Sequence, residues 1–238
     1  TESNRSEVRY LTIEVDGKSL PPQINEFVAN NRLSLRDGRR ASPDWIEIRN
    51  PNNTILSLMG YGLSDDPERP MKWVFPDDVT IDPHGFLIIF ASGRKEAFDA
   101  GGHLHSNFRL NTDGESLQLT APDGLTVLDR VESFPAQRED LAFGRTLQGN
   151  WTFMDPTPNA VNLSITYEGW LPSLVFSRQR GFQAQPFTLT LDGADEASTV
   201  FVSTDGSEPI LPFTGPLRIS GNTTVRAYVH RSGYKSPR

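Results

Sequence analysis

Residues 43–51 read PDWIEIRNP, and this stretch decides the class of fold. Its polar and apolar side chains alternate, which is the pattern of a β-strand whose two faces meet different surroundings. The alternation places Ile46 and Ile48 on one face, and we expect both side chains to enter a core. Trp45 lies on the other face, where its ring is expected to cover the sheet.

The same strand carries two carboxylates, Asp44 and Glu47, three residues apart. An acid/base pair must converge on one bond with its carboxyl groups roughly 5–10 Å apart. Alternation instead sends these two side chains to opposite faces of the sheet. We therefore predict a structural role, in which Glu47 makes a same-face ion pair with Arg49 or a cross-strand hydrogen bond.

Short apolar or alternating runs of this kind recur along the chain. Turn residues separate them, including Asp-Gly pairs at 16–17, 37–38, 113–114, 123–124 and 205–206. The 19 glycines and 18 prolines leave few windows for a long helix. Strands at this spacing predict an all-β chain of sandwich or barrel type.

A change in composition marks a domain boundary. Residues 154–162, MDPTPNAVN, place two prolines and two asparagines after the last aromatic strand of the first part. The chain then resumes as a strand-rich unit of roughly 75 residues, a size at which a small sandwich folds alone. We predict one domain over 23–162, a second over 163–238, and an N-terminal strand or the tail of a preceding domain over 1–22.

Composition excludes several classes of function. The formal charge of −7 and the pI near 5.1 repel phosphate backbones and anionic lipid, so no nucleic-acid partner is expected. No apolar run approaches the roughly 18 residues of a membrane span, so no membrane insertion is expected. The absence of cysteine removes disulfides, thiolate catalysis and cysteine-ligated zinc. The first residues lack an initiator Met and a signal-peptide pattern, and we expect a piece of a longer protein.

Eight segments stand in order over the first predicted domain. They are INEFVANN (24–31), DWIEIRNP (44–51), LMGYGLSDDP (58–67), KWVFP (72–76), GFLIIFASG (85–93), LHSNFRLNTDGESLQL (104–119), AFGR (142–145) and PTPNAVN (156–162). Each segment is short, and their order and spacing together resemble the lamin-tail domain. That family is an immunoglobulin-like β-sandwich found in nuclear lamins and in many bacterial extracellular proteins.

Three segments mark the second predicted domain: VSTDGSEPI (202–210), FTGPLRIS (213–220) and TTVRAYVHRSGYKSP (223–237). They are similar to the small β-sandwich module of the chitobiase/β-hexosaminidase C-terminus, with a shorter hairpin between 209 and 213. The two resemblances imply two immunoglobulin-like β-sandwich domains in tandem. They also imply a bacterial protein of the cell surface or extracellular space, with other domains of the parent chain as partners.

Two groups of side chains are candidate metal ligands. Asp65, Asp66 and Glu68 form the densest acidic cluster, and oxygen ligands on a loop suit calcium, although the cluster lacks EF-hand spacing and also reads as a plain turn. His103 and His105 are two residues apart, so on a strand both rings would share a face and could bind one ion. No third ligand stands at a fixed spacing from them. We expect no metal and no other cofactor.

Catalytic signatures are absent from the sequence. There is no Gly-x-Ser-x-Gly motif and no phosphate-binding glycine loop, and a Ser-His-Asp triad cannot be detected from one sequence. We therefore expect no enzyme, and a non-catalytic module that serves adhesion, spacing or presentation of another domain. The alternative is a polysaccharide-binding accessory module, for which Trp170 is the candidate contact, although packing that fixes the angle between the two domains is the interpretation we favour for this residue. The other tryptophans are expected in the cores.

Overall fold

The computed structural model describes residues 19–163 and 165–236. Most of the predicted N-terminal strand or tail, residues 1–22, therefore lies outside the described residues. No helix occurs within the described ranges, so no described helix is long and apolar enough to cross a membrane. The prediction of an all-β chain is confirmed.

The described chain divides into two compact units. The first comprises the described residues up to Asp140 together with Pro158–Val161. Its strands are β1 (Gln23–Val28), β2 (Asp44–Arg49), β3 (Leu56–Ser57), β4 (Gly62–Ser64), β5 (Trp73–Val74), β6 (Thr80–Ile81), β7 (Phe86–Ala91), β8 (Leu104–His105), β9 (Leu117–Thr120) and β10 (Val127–Val131).

The second unit comprises Leu141–Thr157 and the described residues from Asn162 onward. Its strands are β11 (Ala142–Arg145), β12 (Trp151–Met154), β13 (Thr166–Tyr167), β14 (Gly169–Trp170), β15 (Val175–Phe176), β16 (Phe187–Leu189), β17 (Leu191–Asp192), β18 (Thr199–Ser203), β19 (Leu211–Pro212), β20 (Leu217–Ile219), β21 (Arg226–His230) and β22 (Tyr234–Lys235).

Two layers of strands build the first unit. In one layer β1, β2, β7 and β8 lie side by side, antiparallel except for the parallel pair β7–β8. The other layer has the order β10-β9-β4-β5, and β3 and β6 form a separate two-stranded sheet. Strand β1 lies against both β9 and β10, which brings the two layers together over a common core.

The strand that carries PDWIEIRNP, β2, is buried on both faces. Ile46 and Ile48 are fully buried, as predicted, and each contributes about 2 kcal/mol of hydrophobic stabilisation. Trp45 and Glu47 are equally buried on the opposite face, which alternation alone does not predict. A loop covers that face, because the Trp45 indole Nε1 donates a hydrogen bond to the Ser34 hydroxyl at 3.0 Å.

The second unit is a set of small sheets. Strands β11, β12 and β13 are antiparallel neighbours, and β19, β18 and β21 form a three-stranded sheet. Three further pairs are β14–β22, β15–β17 and β16–β20. Its buried apolar side chains include Leu171, Leu189, Val202 and Val229. A second sandwich in tandem with the first stays a prediction.

The predicted domain boundaries also stay predictions, but two features bear on them. Phe153 in β12 pairs with Tyr167 in β13, so the predicted boundary at 162/163 falls between two paired strands. Leu141–Thr157 also belong to the second compact unit, whereas the sequence placed them in the first domain.

Candidate functional site

The carboxylate of Asp99 has five hydrogen-bonding partner groups among the described residues. It accepts backbone N–H bonds from Gly38 at 2.9 Å, Gly101 at 2.8 Å and His103 at 3.0 Å. Two imidazole nitrogens also reach it, Nδ1 of His103 at 3.1 Å and Nε2 of His105 at 3.2 Å. The side chain is only 1% exposed. One carboxylate therefore ties together two loops that are 61 residues apart in the chain.

Asp99 is held as an anion by these donors. Burial alone raises the pKa of Asp99, but the hydrogen bonds from His103, His105 and Gly38 outweigh it, so the pKa lies well below its usual range. The backbone of Gly38 approaches very closely: a Cβ at this position would stand 2.8 Å from the nearer Asp99 oxygen. Only glycine leaves room for that approach.

Ser92, His105 and Asp99 stand in line, a constellation that sequence reasoning missed. The Ser92 hydroxyl lies 2.9 Å from Nδ1 of His105, and Nε2 of the same ring faces Asp99. The order matches a Ser-His-Asp triad, but His105 is fully buried and Ser92 is 9% exposed. In this arrangement His105 has no solvent-exposed surface and Ser92 has little. Burial also lowers the pKa of His105 against the opposing hydrogen bond from Asp99, a direction that favours the neutral ring.

Asp37 adds a second buried carboxylate beside His105. The donor atoms of Asp37, Asp99 and His105 all lie within 4.8 Å of one another, a spacing that would suit a metal ion. The guanidinium of Arg94 supplies a positive charge there: Nη2 lies 2.6 Å from Asp37 and Nη1 lies 3.3 Å from the His105 ring. We interpret the cluster as a buried ion pair with its own cation. His103 and His105, proposed as joint ligands, instead contact the two oxygens of Asp99.

Asp37 is also satisfied locally. Its carboxylate accepts backbone N–H bonds from Arg39 and Ala41, both at 2.9 Å. Burial raises the pKa of Asp37, but these hydrogen bonds and the contact with Arg94 lower it by more. The net shift of the pKa is therefore downward. Hydrogen bonds and one ion pair therefore join this loop, Arg94 and Asp99 at one end of the sheet.

Glu47 is fully buried on the face of β2 opposite Ile46 and Ile48. Its Oε1 accepts a hydrogen bond from Asn25 Nδ2 at 2.7 Å, and its Oε2 accepts one from the Asn159 backbone N–H at 2.5 Å. Asn25 lies on the neighbouring strand, so the cross-strand hydrogen bond among the two predicted alternatives is confirmed. The ion pair with Arg49 is not the contact that these oxygens make. Burial raises the pKa of Glu47 to about 8, and the charge of Glu26, directly opposite on β1, adds to the rise.

Asp44 points away from Glu47, as the alternation predicts. Its Oδ1 accepts a backbone N–H bond from Asn31 at 3.2 Å. Burial raises the pKa of Asp44 to about 6, against the opposing effects of that hydrogen bond and of the Arg109 charge. The two carboxylates that open the question of an acid/base pair therefore have separate hydrogen-bond partners.

The acidic cluster at residues 65–68 forms a salt-bridged turn. Asp66 accepts N–H bonds from Glu68 at 3.0 Å and from Arg69 Nε at 2.7 Å, while Lys72 Nζ lies 2.6 Å from Asp65. The pKa of Asp66 is lowered, first by its hydrogen bond with Arg69. These carboxylates meet cations of the same turn and do not converge as calcium ligands do. The candidate calcium ligands therefore stay a hypothesis without support from this geometry.

The tryptophans separate into buried and half-buried groups. Trp45 and Trp73 are core residues, as expected, and the ring of Trp73 packs edge-on against Phe75. Trp170, the candidate sugar contact, is half-buried and packs edge-on against Phe153 with ring centroids 5.1 Å apart. The Trp170 ring therefore contributes to packing within the second unit.

One comparison with known proteins bears on this geometry. Residues 19–134 match the family model of the Lamin Tail Domain, a non-catalytic, immunoglobulin-like domain family. The match lies within the first unit and confirms the lamin-tail part of the resemblance. No curated protein matches the chain. The likeness of the second unit to the chitobiase-type module stays a prediction.

Proposed function

We propose that the chain is a non-catalytic structural and interaction segment of a larger bacterial extracytoplasmic protein. In this role the first unit holds or presents another domain of the parent protein, or takes part in adhesion. The match to a non-catalytic immunoglobulin-like family supports the proposal.

The observation that carries the proposal is that the ionisable side chains around Asp99 are buried or paired with one another. Asp99 accepts hydrogen bonds from two loops, Arg94 neutralises Asp37, and His105 is fully buried between Ser92 and Asp99. Groups that are buried and mutually paired fix the backbone around them, because opening the arrangement would leave uncompensated charge in the interior. A module stiffened in this way suits spacing and presentation.

The test uses an epitope-tagged parent protein in intact bacteria together with the purified chain. We expect added protease to cleave the tagged protein on intact cells. We also expect the purified chain to show no turnover of ester, glycoside or phosphate-ester substrates. A parent protein that stays protected until the cells are lysed, or a turnover that Ser92→Ala abolishes, would contradict the proposal.

A second candidate function, polysaccharide binding, is favoured by one surface of the second unit. In the sheet β19-β18-β21, Phe201 stands between Pro212 and Tyr228 in one cross-strand row. Val202 and Val229 fill the opposite, buried face, so this row points to solvent. The rings of Phe201 and Tyr228 are nearly parallel, with centroids 5.1 Å apart, and Tyr228 is exposed. Exposed aromatic rings of this kind can stack on the apolar faces of sugars.

Pull-down on chitin, cellulose and peptidoglycan tests this candidate. Tyr228→Ala is the informative variant, because Trp170→Ala would also remove the packing against Phe153. Binding that Tyr228→Ala weakens about tenfold would support the aromatic row as the site. Retention of the wild-type chain on none of the three polymers would eliminate the candidate.

A further inference from the structure

One edge of β7 is open over half of its length. On one side β2 pairs with β7 from Phe86 to Ala91. On the other side β8 pairs only with Ile89 and Phe90. Phe86, Leu87 and Ile88 therefore have no strand neighbour on that side within the described part of the chain. An unpaired edge of this kind presents backbone N–H and C=O groups to any extended chain that approaches.

The backbone of the open segment points outward at alternate residues. Asn50 N–H bonds to the Gly85 carbonyl, which continues the β2–β7 ladder and directs Leu87 towards β2. Phe86 and Ile88 consequently direct their N–H groups to the opposite side. Phe90, two residues further on, shows the same direction, because its carbonyl accepts the Ser106 N–H beyond β8. The N–H groups of Phe86 and Ile88 are thus donors available at the edge.

A groove of about 500 Å³ runs beside this segment. Its lining includes both Leu87 and Ile88, which are consecutive strand residues and so point to opposite faces of the sheet. Such a groove must wrap around the strand edge. Phe98, a large apolar side chain that is 48% exposed, contributes to the same groove.

The walls of the groove differ in charge. Arg36 lines it and makes no hydrogen bond or ion pair with any other described residue, and the exposed Arg39 and Arg40 follow in the same loop. This loop covers the Ile88 face, since Ser34 is bonded to Trp45 on that face. Asp78, which lies in the segment just before β6, also lines the groove. Acidic groups of a bound partner therefore favour binding when they lie near Arg36 and oppose it when they lie near Asp78.

We infer that the open edge of β7 binds an extended peptide segment, which adds as a strand and places acidic side chains against Arg36 and apolar side chains against Leu87. Main-chain hydrogen bonds to Phe86 and Ile88 supply the attachment, and alternate side chains entering the groove supply the selectivity. This inference rests on the proposed function and deepens it, because it names the surface and the partner class of an interaction module.

The probe is an octapeptide of alternating glutamate and valine, blocked at both ends and added to the intact chain. In a titration up to about 1 mM peptide, amide NMR should detect binding, with the largest chemical-shift changes at Phe86 and Ile88. Arg36→Glu should weaken binding about fivefold and should favour a lysine–valine peptide instead. The matched control is Arg130→Glu, an exposed arginine on β10, which should leave binding unchanged.

The role of the backbone is tested on the peptide, so that folding of the protein is not at risk. Methylation of alternate peptide nitrogens on the bonding side should abolish binding, and methylation of the other set should not. Absence of shifts at Phe86 and Ile88 with about 1 mM peptide would overturn the inference. Concentration-dependent shifts of the same amides without peptide would also overturn it, since the edge would then take a second copy of the chain.

These outcomes are distinct from those that test the proposed function. If no peptide binds, but protease still cleaves the protein on intact cells and no turnover is seen, only the peptide inference is removed. Turnover that depends on Ser92, or a parent protein inside the cytoplasm, removes the proposed function whether or not a peptide binds.

Discussion

Two buried carboxylates of the first unit, Asp99 and Glu47, have pKa values that move in opposite directions. Both side chains are almost wholly removed from solvent. Asp99 accepts N–H bonds from three backbone groups and two imidazoles, and its pKa falls. Glu47 accepts two neutral hydrogen bonds beside the charge of Glu26, and its pKa rises to about 8. Burial therefore raises the pKa of both acids, and the number of hydrogen-bond donors decides whether that rise is overcome, as it is at Asp99 but not at Glu47.

The largest expected effect comes from removing Arg94, the cation that pairs with Asp37 in the cluster around Asp99. Arg94→Ala leaves the fully buried carboxylate of Asp37 without its ion-pair partner. Breaking a buried pair in this way costs about 3–5 kcal/mol. Urea unfolding should show this loss in the free energy of unfolding. The control is Arg69→Ala, whose exposed pair with Asp66 should cost less than about 1 kcal/mol. Equal effects of the two variants would contradict the description of the Arg94 cluster.

The next effect is a pH dependence that belongs to Glu47. The folded pKa of about 8 lies above the unfolded value of 4.5, so the folded chain binds the proton more tightly. The resulting stability is fully present below pH 4.5 and is lost as the pH rises through 8. Relative to Glu47→Gln, the wild type should lose roughly 2–4 kcal/mol between pH 5 and pH 8.

The measurement is urea unfolding of both proteins at a series of pH values. The variant cancels the contributions of the other titrating groups, so the difference between the two curves reports Glu47. A difference that stays constant from pH 5 to pH 8 would show that Glu47 titrates normally.

A smaller effect is expected where a backbone approaches the first carboxylate. Gly38→Ala would place a methyl group 2.8 Å from Asp99 and push the loop away from it. Crowding of this kind costs about 1–3 kcal/mol. The matched control is Gly221→Ala, where no atom lies within 4 Å of the added carbon. Thermal unfolding should separate the two, and a variant at Gly38 as stable as the wild type would mean that the loop is free to move.

The smallest effect is expected at the open edge. Arg36→Glu changes an exposed side chain that has no partner among the described residues, so the free energy of unfolding should change by less than about 0.5 kcal/mol. The same substitution is the one expected to weaken peptide binding. A large loss of stability would show that Arg36 holds the fold, and a change in peptide affinity could then not be assigned to recognition.

The sequence predicts those parts of this account that depend on neighbours along the chain. Alternation placed Ile46 and Ile48 in the core, and turn chemistry predicted a turn around Asp66, where Asp66 accepts the Glu68 N–H. The lamin-tail resemblance rested on motif order, and the family match supports it.

The parts that the sequence did not predict depend on distant residues. Glu47 meets Asn159, which is 112 residues away in the chain, and that contact closes the face that alternation leaves open. Asp99 meets Gly38 across 61 residues. His103 and His105, which the sequence offered only as a possible pair of ligands, share one carboxylate that no local spacing indicates.

Amide hydrogen exchange tests whether the paired charges of the first unit fix its loops. In the wild type, the N–H groups of Gly38, Gly101 and His103 should exchange slowly although they lie outside strands, because each is bonded to Asp99. In Asp99→Asn all three should exchange faster together, while the amides of β2 stay protected. Exchange at these three groups that is fast in the wild type, or unchanged in Asp99→Asn, would show that Asp99 does not hold these loops.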